Sequence, residues 1–372
     1  MARKYIIIGA GILGASTAYF LAKAGADVMI LDRKDKGQAT DAAAGIVCPW
    51  LSQRRNKAWY YLAKSGAGFY PQLIEELSKD GETETGYSRV GAISLHTDDS
   101  KLTAMRVRAM KRREEAPEIG EISLLSSEQT KTLFPLLKDG YGSVHVSGAA
   151  RVDGRKLRDA LMRGAKKHGA TFISWDGSLV HEGSQIIGVK ANGTAMKADT
   201  VIAANGAWMN ELIKPLGIDF IIAPQRAQIM HIQVEGLDTS KLPVVMPPSN
   251  QYLLGFDDNR IVAGSTHEDG VGFDYRTTIS GQHEILSKAL EYAPGIGAGT
   301  LLETRVGFRP VAPGFLPVIG ELPGFKNLLL ANGLGASGIT MGPFIGKQLA
   351  NMAQGKRLDI DLAAYDIAGA LK

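Results

Sequence analysis

The sequence is poor in the residues that form disulfides and metal centres. Among 372 residues it has one cysteine, Cys48, and seven histidines that follow no metal-ligand spacing. A single cysteine excludes an intrachain disulfide and a cysteine-rich metal site. Sparing use of cysteine is typical of proteins in a reducing compartment, so we expect a cytoplasmic protein that binds no metal.

The chain also lacks a strong excess of charge of either sign. Its formal net charge is +4, and the basic run from Lys111 to Arg113 is followed at once by Glu114 and Glu115. Such mixed charges are typical of a solvated helix face, so the sequence predicts no nucleic-acid partner. The composition is that of an ordinary globular protein, and the length suits one large or two interleaved domains.

Long apolar runs are scarce as well. The one stretch that could mimic a signal peptide or a membrane span is the uncharged segment from Tyr5 to Ala22. It contains three glycines in a pattern that a cleaved or membrane-embedded segment would not need. The sequence therefore predicts no integral membrane segment.

Those glycines, Gly9, Gly11 and Gly14, lie between an apolar run and a helical stretch, and Asp32 ends the next apolar run. In a strand–turn–helix unit Gly9 permits the tight turn, Gly11 lets a pyrophosphate approach the backbone and Gly14 allows close packing of helix and strand. The helix N-terminus then attracts phosphate. Asp32 can accept from both ribose hydroxyls. Glycines in ordinary turns are the alternative interpretation.

An enzyme that binds only a nicotinamide cofactor needs the first motif alone, but this chain carries three further segments. They are the small-residue loop from Thr40 to Gly45, the strand-to-turn segment from Ala203 to Trp208, and the glycine-rich turn from Gly333 to Thr340. The last segment has the same arrangement as the first motif: a glycine-rich turn whose backbone N–H groups and following helix N-terminus can face electron-rich ligand atoms. A flavin ring needs such donors where negative charge accumulates on reduction.

Periodicity and turn signals predict the following elements. They are helices near 56–77, 100–115, 155–168, 280–292 and 339–352, an antiparallel meander from Phe172 that leads to a buried strand at Thr200–Ala204, a strand-rich stretch over 221–265, and a last strand at Asn327–Ala331.

Together these segments resemble the FAD-dependent D-amino acid oxidase superfamily, particularly glycine oxidase, sarcosine oxidase and D-amino acid dehydrogenase. The matching text includes "IIIGAGILGASTAYFLAKAGADVMILDR", "ATDAAAGIV", "ADTVIAANGAW", "VGFRPVAPGFLPVIG" and "LLLANGLGASGITMGP". The resemblance implies an α/β fold in which a Rossmann-type FAD-binding domain of the glutathione-reductase type is interleaved with an α+β substrate domain built on an antiparallel sheet. The implied FAD-binding domain covers 1–85, 145–220 and 305–372, and the substrate-binding domain covers 86–144 and 221–304.

The resemblance also implies which residues hold FAD. The pyrophosphate would lie at the Gly9–Gly14 loop, the adenosine ribose at Asp32, the adenine beside Val180 and the isoalloxazine along Leu334–Thr340. The implied cofactor-binding residues are Gly9, Gly11, Ile12, Leu13, Gly14, Asp32, Arg33, Thr40, Ala43, Ala44, Gly45, Val180, Asn205, Gly206, Trp208, Leu334, Gly335, Ala336, Ser337, Gly338, Ile339 and Thr340.

On the substrate side, Arg309 occupies the position of the arginine that grips the substrate carboxylate in glycine oxidase-like enzymes. A planar guanidinium can bind a carboxylate bidentately, although a solvated arginine before a turn proline is the alternative. Tyr252 has the spacing to Gly264 of the family's carboxylate-binding tyrosine, and a core tyrosine is the competing interpretation. His267 follows the same strand and would shape the pocket or hold a proton, unless it is merely structural.

The implied activity is oxidation of the C–N bond of glycine, sarcosine or a D-amino acid, by hydride transfer to flavin N5 and hydrolysis of the resulting imine. No cysteine lies between Leu302 and Phe308, where the sarcosine oxidase branch attaches its flavin, so we expect non-covalent FAD. Val262 replaces that branch's oxygen-activating lysine, so oxygen and a quinone or carrier protein both stay open as acceptors. A homo-oligomer is also left open. The alternatives are a non-catalytic or electron-transferring FAD subunit of a hetero-oligomeric dehydrogenase, and a tRNA-modification oxidase domain.

Overall fold

The computed structural model describes residues 3–372, which form nineteen strands and eight α-helices. The strands are, in chain order, β1 (Lys4–Ile8), β2 (Asp27–Leu31), β3 (Ile46–Val47), β4 (Ala92–His96), β5 (Ile122–Leu125), β6 (Gly142–Val146), β7 (Ala150–Arg151), β8 (Thr171–Ile173), β9 (Gly177–Glu182), β10 (Gln185–Ala191), β11 (Thr194–Lys197), β12 (Thr200–Ala203), β13 (Ala223–Gln233), β14 (Val244–Met246), β15 (Tyr252–Phe256), β16 (Arg260–Gly264), β17 (Thr300–Val311), β18 (Val318–Glu321) and β19 (Leu328–Asn332). The helices are α1 (Ile12–Lys23), α2 (Lys57–Lys79), α3 (Asp99–Arg113), α4 (Ser127–Leu133), α5 (Gly154–Lys167), α6 (Met209–Ile213), α7 (Ile279–Tyr292) and α8 (Gly338–Ala353).

A six-stranded sheet forms the first layer, in the order β18-β19-β12-β1-β2-β8. All neighbours in it run parallel except β18 and β19. Its central strands are nearly unbroken apolar runs, as expected when helices or loops cover both faces of a parallel sheet. The predicted Rossmann-type core is confirmed.

Helix α1 crosses α8 at very short range over this sheet. A Cβ on Gly346 would lie 2.6 Å from the Cβ of Ser16, and one on Gly342 would lie 2.9 Å from the side chain of Ile12. The two glycines therefore let the first and the last long helices of the chain pack closely. Helix α5 packs on the other side of α1, and its predicted start signal is confirmed because Asp153 accepts from the N–H groups of Arg155 and Lys156.

An eight-stranded sheet forms the second large layer, in the order β17-β13-β16-β15-β14-β4-β6-β5. Its pairs are antiparallel except β14 with β4. Strands predicted for the substrate domain supply most of this sheet, which agrees with the predicted fold class. The exact domain boundaries stay a prediction.

One element of the predicted meander is wrong. Strand β8 does not join the small antiparallel sheet β11-β10-β9 but pairs parallel with β2 at the edge of the large parallel sheet. It follows a helix that crosses over from the sheet, and such a crossover returns the chain parallel to its start. Within residues 3–372 no helix combines the length and the apolar character that crossing a membrane requires.

Candidate active site

A single large cavity joins the two layers. Its volume is about 920 Å³, and it extends from the Gly9–Leu13 loop and Asp32 to Tyr252 and Arg309. That volume lies at the upper end of what ligand sites usually enclose. Residues from both ends of the chain therefore line one continuous space.

The glycine motif forms one end of this cavity. Gly9 has φ of +101°, and a Cβ there would lie 2.5 Å from the carbonyl oxygen of Ala204. Gly14 does not line the cavity; a Cβ on it would lie 1.9 Å from the carbonyl oxygen of Gly9, which fits its predicted packing role. Helix α1 begins after Gly11 without a side-chain cap from its own segment, and Thr40 Oγ1 instead accepts from the N–H of Ile12 at 3.0 Å. The helix N-terminus thus faces the cavity with its positive end.

Asp32 holds the glycine loop in place. Its carboxylate accepts from the backbone N–H of Ala10 at 2.6 Å and of Lys34 at 2.6 Å, and from the amide of Gln38 at 2.9 Å. A carboxylate offers about four acceptor sites, so capacity remains for a ribose hydroxyl. Its fixed place beside the loop explains why the motif needs an acid at the end of β2.

Two of the implied cofactor-binding residues, Arg33 and Val180, do not present a free side chain to the cavity. Arg33 lies at the rim in ion pairs with Asp35 and Glu211, so acids already hold its guanidinium. Burial opposes these pairs but they outweigh it, and the pKa of Arg33 is raised. Val180 does not line the cavity, whereas Gly177, Ser178, Leu179 and His181 of the same strand do.

The third and fourth motifs, Ala203–Trp208 and Gly333–Thr340, meet in the wall of the same cavity. Asn332 donates to the carbonyl oxygen of Gly206 at 2.9 Å and accepts from the N–H of Gly333 at 2.7 Å, which ties the two segments together. Gly333 and Gly335 have φ of +75° and +52°, and the segment from Leu334 to Thr340 leads into the N-terminus of α8 along the cavity wall. A second helix N-terminus therefore borders the same space.

Asn205 adds an observation in favour of a ligand. Its amide donates to the carbonyl oxygen of Trp208 at 3.1 Å, but its Oδ1 is buried without a hydrogen-bond partner in the cavity wall. A buried polar atom is usually satisfied, so an acceptor left open beside a cavity points to a donor on the molecule that fills it.

Arg309 forms the far end of the cavity. Its guanidinium donates to Ser265 Oγ at 2.7 Å, to Gln225 Oε1 at 3.2 Å and to the carbonyl oxygen of Thr266 at 3.4 Å. All three partners are neutral, and no carboxylate among residues 3–372 pairs with it. Burial lowers the pKa of Arg309 and the nearby Tyr252 opposes that shift, yet an arginine stays protonated at neutral pH.

Tyr252 and His267 line the cavity beside Arg309. Tyr252 lies opposite Gly264 in the β15–β16 register, on the strand pair that the sequence indicated. Burial raises the pKa of Tyr252, against the opposing effects of Arg309 and Ser265, so its phenol stays a donor. Burial, and then the charge of Arg309, lowers the pKa of His267, so its imidazole is neutral at pH 7.

The sequence reading missed several polar residues that belong to this end. Gln225 and Ser265 hold Arg309, and Asn250 and Gln251 line the wall near His267. Gln225 lies opposite Arg309 in the β13–β17 register, but several other polar residues of β13 hide it in the sequence. Ser265 had no signal in the sequence, because its role depends on how the chain leaves β16.

Cys48 lines the cavity and is 8% exposed. Burial raises the pKa of its thiol to about 12, although backbone groups of Leu51 and Trp50 oppose the shift. Since the thiolate is the reactive form, we expect iodoacetamide at about pH 8 to alkylate the folded protein about 100-fold more slowly than the unfolded protein. Mass spectrometry of timed samples measures this, with Cys48→Ser as the unlabelled control. Equal rates in both states would contradict a buried, protonated thiol.

These features define a dinucleotide-binding cavity that is lined by the N-termini of α1 and α8 and by a buried arginine without an acidic partner. Comparison with known families agrees: the FAD dependent oxidoreductase (DAO) family matches residues 4–352. The chain therefore belongs to the DAO family of FAD-dependent oxidoreductases, and FAD is its cofactor.

Individual relatives cover almost the whole chain. It is 60% identical to the uncharacterized oxidoreductase YurR of Bacillus subtilis, over 99% of this chain and 100% of that protein. It is 30% identical to glycine oxidase of Pseudomonas aeruginosa, over 100% of both chains. The crystal structure of iminodiacetate oxidase from Chelativorans sp. matches with a TM-score of 0.95 and 44% identity, over 97% of this chain and 98% of that one.

The residues present fit FAD. The glycine loop, Asp32 and the α1 N-terminus suit its adenosine and pyrophosphate, and the Leu334–Thr340 segment with the α8 N-terminus suits its ring. The open acceptor on Asn205 and the length of the cavity support the same assignment.

Proposed function

We propose that the protein oxidises the C–N bond of a small amino acid, such as glycine, sarcosine or a D-amino acid. The observation that carries this proposal is the guanidinium of Arg309, which lies in the cofactor cavity with only neutral neighbours. A buried charge without a counter-ion is costly. A substrate carboxylate would supply that counter-ion and orient the substrate in the same step.

The side chains around Arg309 favour a carboxylate over other anions. The guanidinium can donate two parallel N–H groups, and Tyr252 adds an O–H donor to the same small volume. His267 is neutral there and adds no second charge. One carboxylate therefore balances the charge of this end of the cavity.

When bound, FAD supplies the chemistry by accepting two electrons and the hydrogen that leaves Cα. The protein holds the substrate carboxylate on Arg309 and Tyr252, which fixes the direction of the Cα–H bond. The amine reacts in its neutral form, after its ammonium group has released a proton to solvent, and loss of the hydrogen from Cα with its electron pair leaves a C=N bond. Water then hydrolyses the imine to a keto acid and an amine or ammonia, so no further acid or base is required from the chain.

Two relatives support an amine as the substrate. One is named for oxidation of glycine and the other for oxidation of iminodiacetate, and both names describe molecules with a carboxymethyl group on nitrogen. The shared N–CH₂–COO⁻ unit is what Arg309 and Tyr252 would grip. The electron acceptor stays open between oxygen and a quinone or carrier protein, since Val262 stands in the buried core of β16 where a lysine would be expected.

The test is anaerobic reduction of the flavin. The purified holoenzyme is mixed with glycine, sarcosine, proline, iminodiacetate and D-amino acids in turn, and the loss of flavin absorbance is followed. We expect at least one of these amines to bleach the flavin at millimolar concentration or below. Readmission of oxygen then separates an oxidase, which recovers its colour quickly, from a dehydrogenase.

A chain that no amine reduces would instead fit a non-catalytic FAD subunit of a hetero-oligomeric dehydrogenase. A tRNA-modification oxidase domain is disfavoured because the chain has a formal net charge of only +4. Reduction by a free amino acid would contradict both alternatives.

A further inference from the structure

A second arginine lies near the substrate end of the cavity. Arg54 belongs to the segment 48–56 between β3 and α2, and its guanidinium carbon lies 4.8 Å from the ring centroid of Trp59 and 5.9 Å from that of Phe315. No acidic side chain among residues 3–372 pairs with it, and partial burial of its guanidinium lowers its pKa. Arg54 is partly open to solvent, and a guanidinium that lies near two rings without a counter-ion can still donate from its edge.

The guanidinium of Arg54 borders a small cavity of about 160 Å³. His267, Leu334, Gly335 and Ala336 line both this cavity and the large one, so the two spaces adjoin. Gln225, which accepts from Arg309, also lines the small cavity. The space equals the liquid volume of about five water molecules, which is enough for a carboxymethyl group.

The segment that carries Arg54 is fixed at both ends. Arg112 donates to the carbonyl oxygens of Trp50 and Ser52, both at 2.6 Å, and the N–H of Arg54 donates to Ser52 Oγ at 3.2 Å. Asn56 caps α2 by accepting from the N–H of Trp59 at 2.9 Å. Arg54 is therefore presented from a held backbone, which lowers the entropic cost of binding an anion.

We propose that Arg54 binds a second carboxylate of the substrate, while Arg309 binds the first. The preferred substrate class is then a secondary or primary amine with two carboxylates, one of them on a short arm that enters the small cavity. This inference rests on the proposed function. It makes Arg54 a specificity-determining residue, because a substrate with one carboxylate leaves the small cavity empty.

The first experiment uses ligands that the enzyme cannot oxidise. Diglycolate has two carboxylates and an ether oxygen in place of the amine nitrogen, and methoxyacetate is the matched molecule with one carboxylate. Binding of each to the holoenzyme is measured from the change in flavin absorbance. We expect diglycolate to bind at least about tenfold more tightly than methoxyacetate, because a charge-assisted pair contributes that much or more.

Variants then assign the difference to Arg54. Arg54→Gln should bring the affinity for diglycolate close to that for methoxyacetate, and Arg54→Lys should restore part of it. Arg55→Gln is the matched control. Arg55 is the arginine next to Arg54, and it lines neither cavity. In turnover, Arg54→Gln should raise KM for iminodiacetate about tenfold or more and leave sarcosine within about twofold.

Two results would overturn the inference. One is equal binding of diglycolate and methoxyacetate to the unaltered protein, and the other is an equal loss of both on Arg54→Gln with flavin content unchanged. The ligand comparison needs no turnover, so it decides for or against the Arg54 subsite even if no amine reduces the flavin. That last outcome would contradict only the proposed function.

Discussion

Arg309→Ala is expected to lower the second-order rate constant for flavin reduction by the best amine about 100- to 1000-fold, because it removes the counter-charge of the substrate carboxylate. The neutral partners of Arg309, among them Ser265 and Gln225, cannot replace that charge. Flavin content should be unchanged, since the glycine loop that would hold the adenosine half lies at the opposite end of the cavity. Anaerobic stopped-flow measurement of flavin bleaching over a range of substrate concentrations gives the rate constant directly.

Two further variants make this result specific. Arg309→Lys keeps the charge but loses the planar pair of donors. We therefore expect it to lower the rate constant for flavin reduction less than Arg309→Ala does. Arg357→Ala removes an exposed arginine outside the cavity and should change nothing. If Arg309→Ala reduces its flavin at the unaltered rate, the carboxylate-binding role is wrong and a structural arginine is the better interpretation.

The second large effect concerns Gly14 and Gly11 of the same motif. Alanine substitution should lower stability at Gly14 and FAD affinity at Gly11. A Cβ on Gly14 would lie 1.9 Å from the carbonyl oxygen of Gly9, whereas a Cβ on Gly11 meets only Thr40 Oγ1, at 3.4 Å. Alanine is the better helix former, so local propensity alone would favour Gly14→Ala. We nevertheless expect Gly14→Ala to destabilise the protein by about 2 to 3 kcal/mol, because backbone atoms must shift. Gly11→Ala should fold normally but bind FAD at least about tenfold more weakly, because its methyl group faces the cavity.

Chemical unfolding of the flavin-free variants and fluorescence titration with FAD separate the two effects. Gly369→Ala, at an exposed position without a positive φ and with nothing within 4 Å of the added Cβ, controls for the loss of a glycine as such. A Gly11→Ala protein as unstable as Gly14→Ala would contradict the division of roles, as would a Gly14→Ala protein of unaltered stability.

Much of the flavin-binding half could be predicted from the sequence because its signals are local. A glycine that needs positive φ, an acid at a strand end and a helix N-terminus each depend on a few neighbouring residues, as Gly9 and Asp32 illustrate. The prediction placed most of these residues on the cavity wall. The place of Val180 beside the adenine stays a prediction, since its strand neighbours Leu179 and His181 line the cavity and Val180 itself does not.

The substrate half was harder to predict, because its residues meet only through the fold. Arg54, Gln225 and His267 lie on three separate segments, and no spacing in the sequence shows that they border one small cavity. Strand β8 was misassigned for a similar reason, since its partner β2 precedes it by about 140 residues, and local alternation cannot choose between two sheets. Contacts between distant segments are the part of the structure that local patterns do not encode.

The close crossing of α1 and α8 has a consequence for how the protein is made. The glycine loop is synthesised long before Leu334–Thr340, yet both segments line the same cavity. Helix α1, buried along most of its length, meets its closest neighbours at Gly342 and Gly346. A ribosome therefore completes the cavity only after residue 340, and the cofactor can find its whole site only once that segment has left the ribosome.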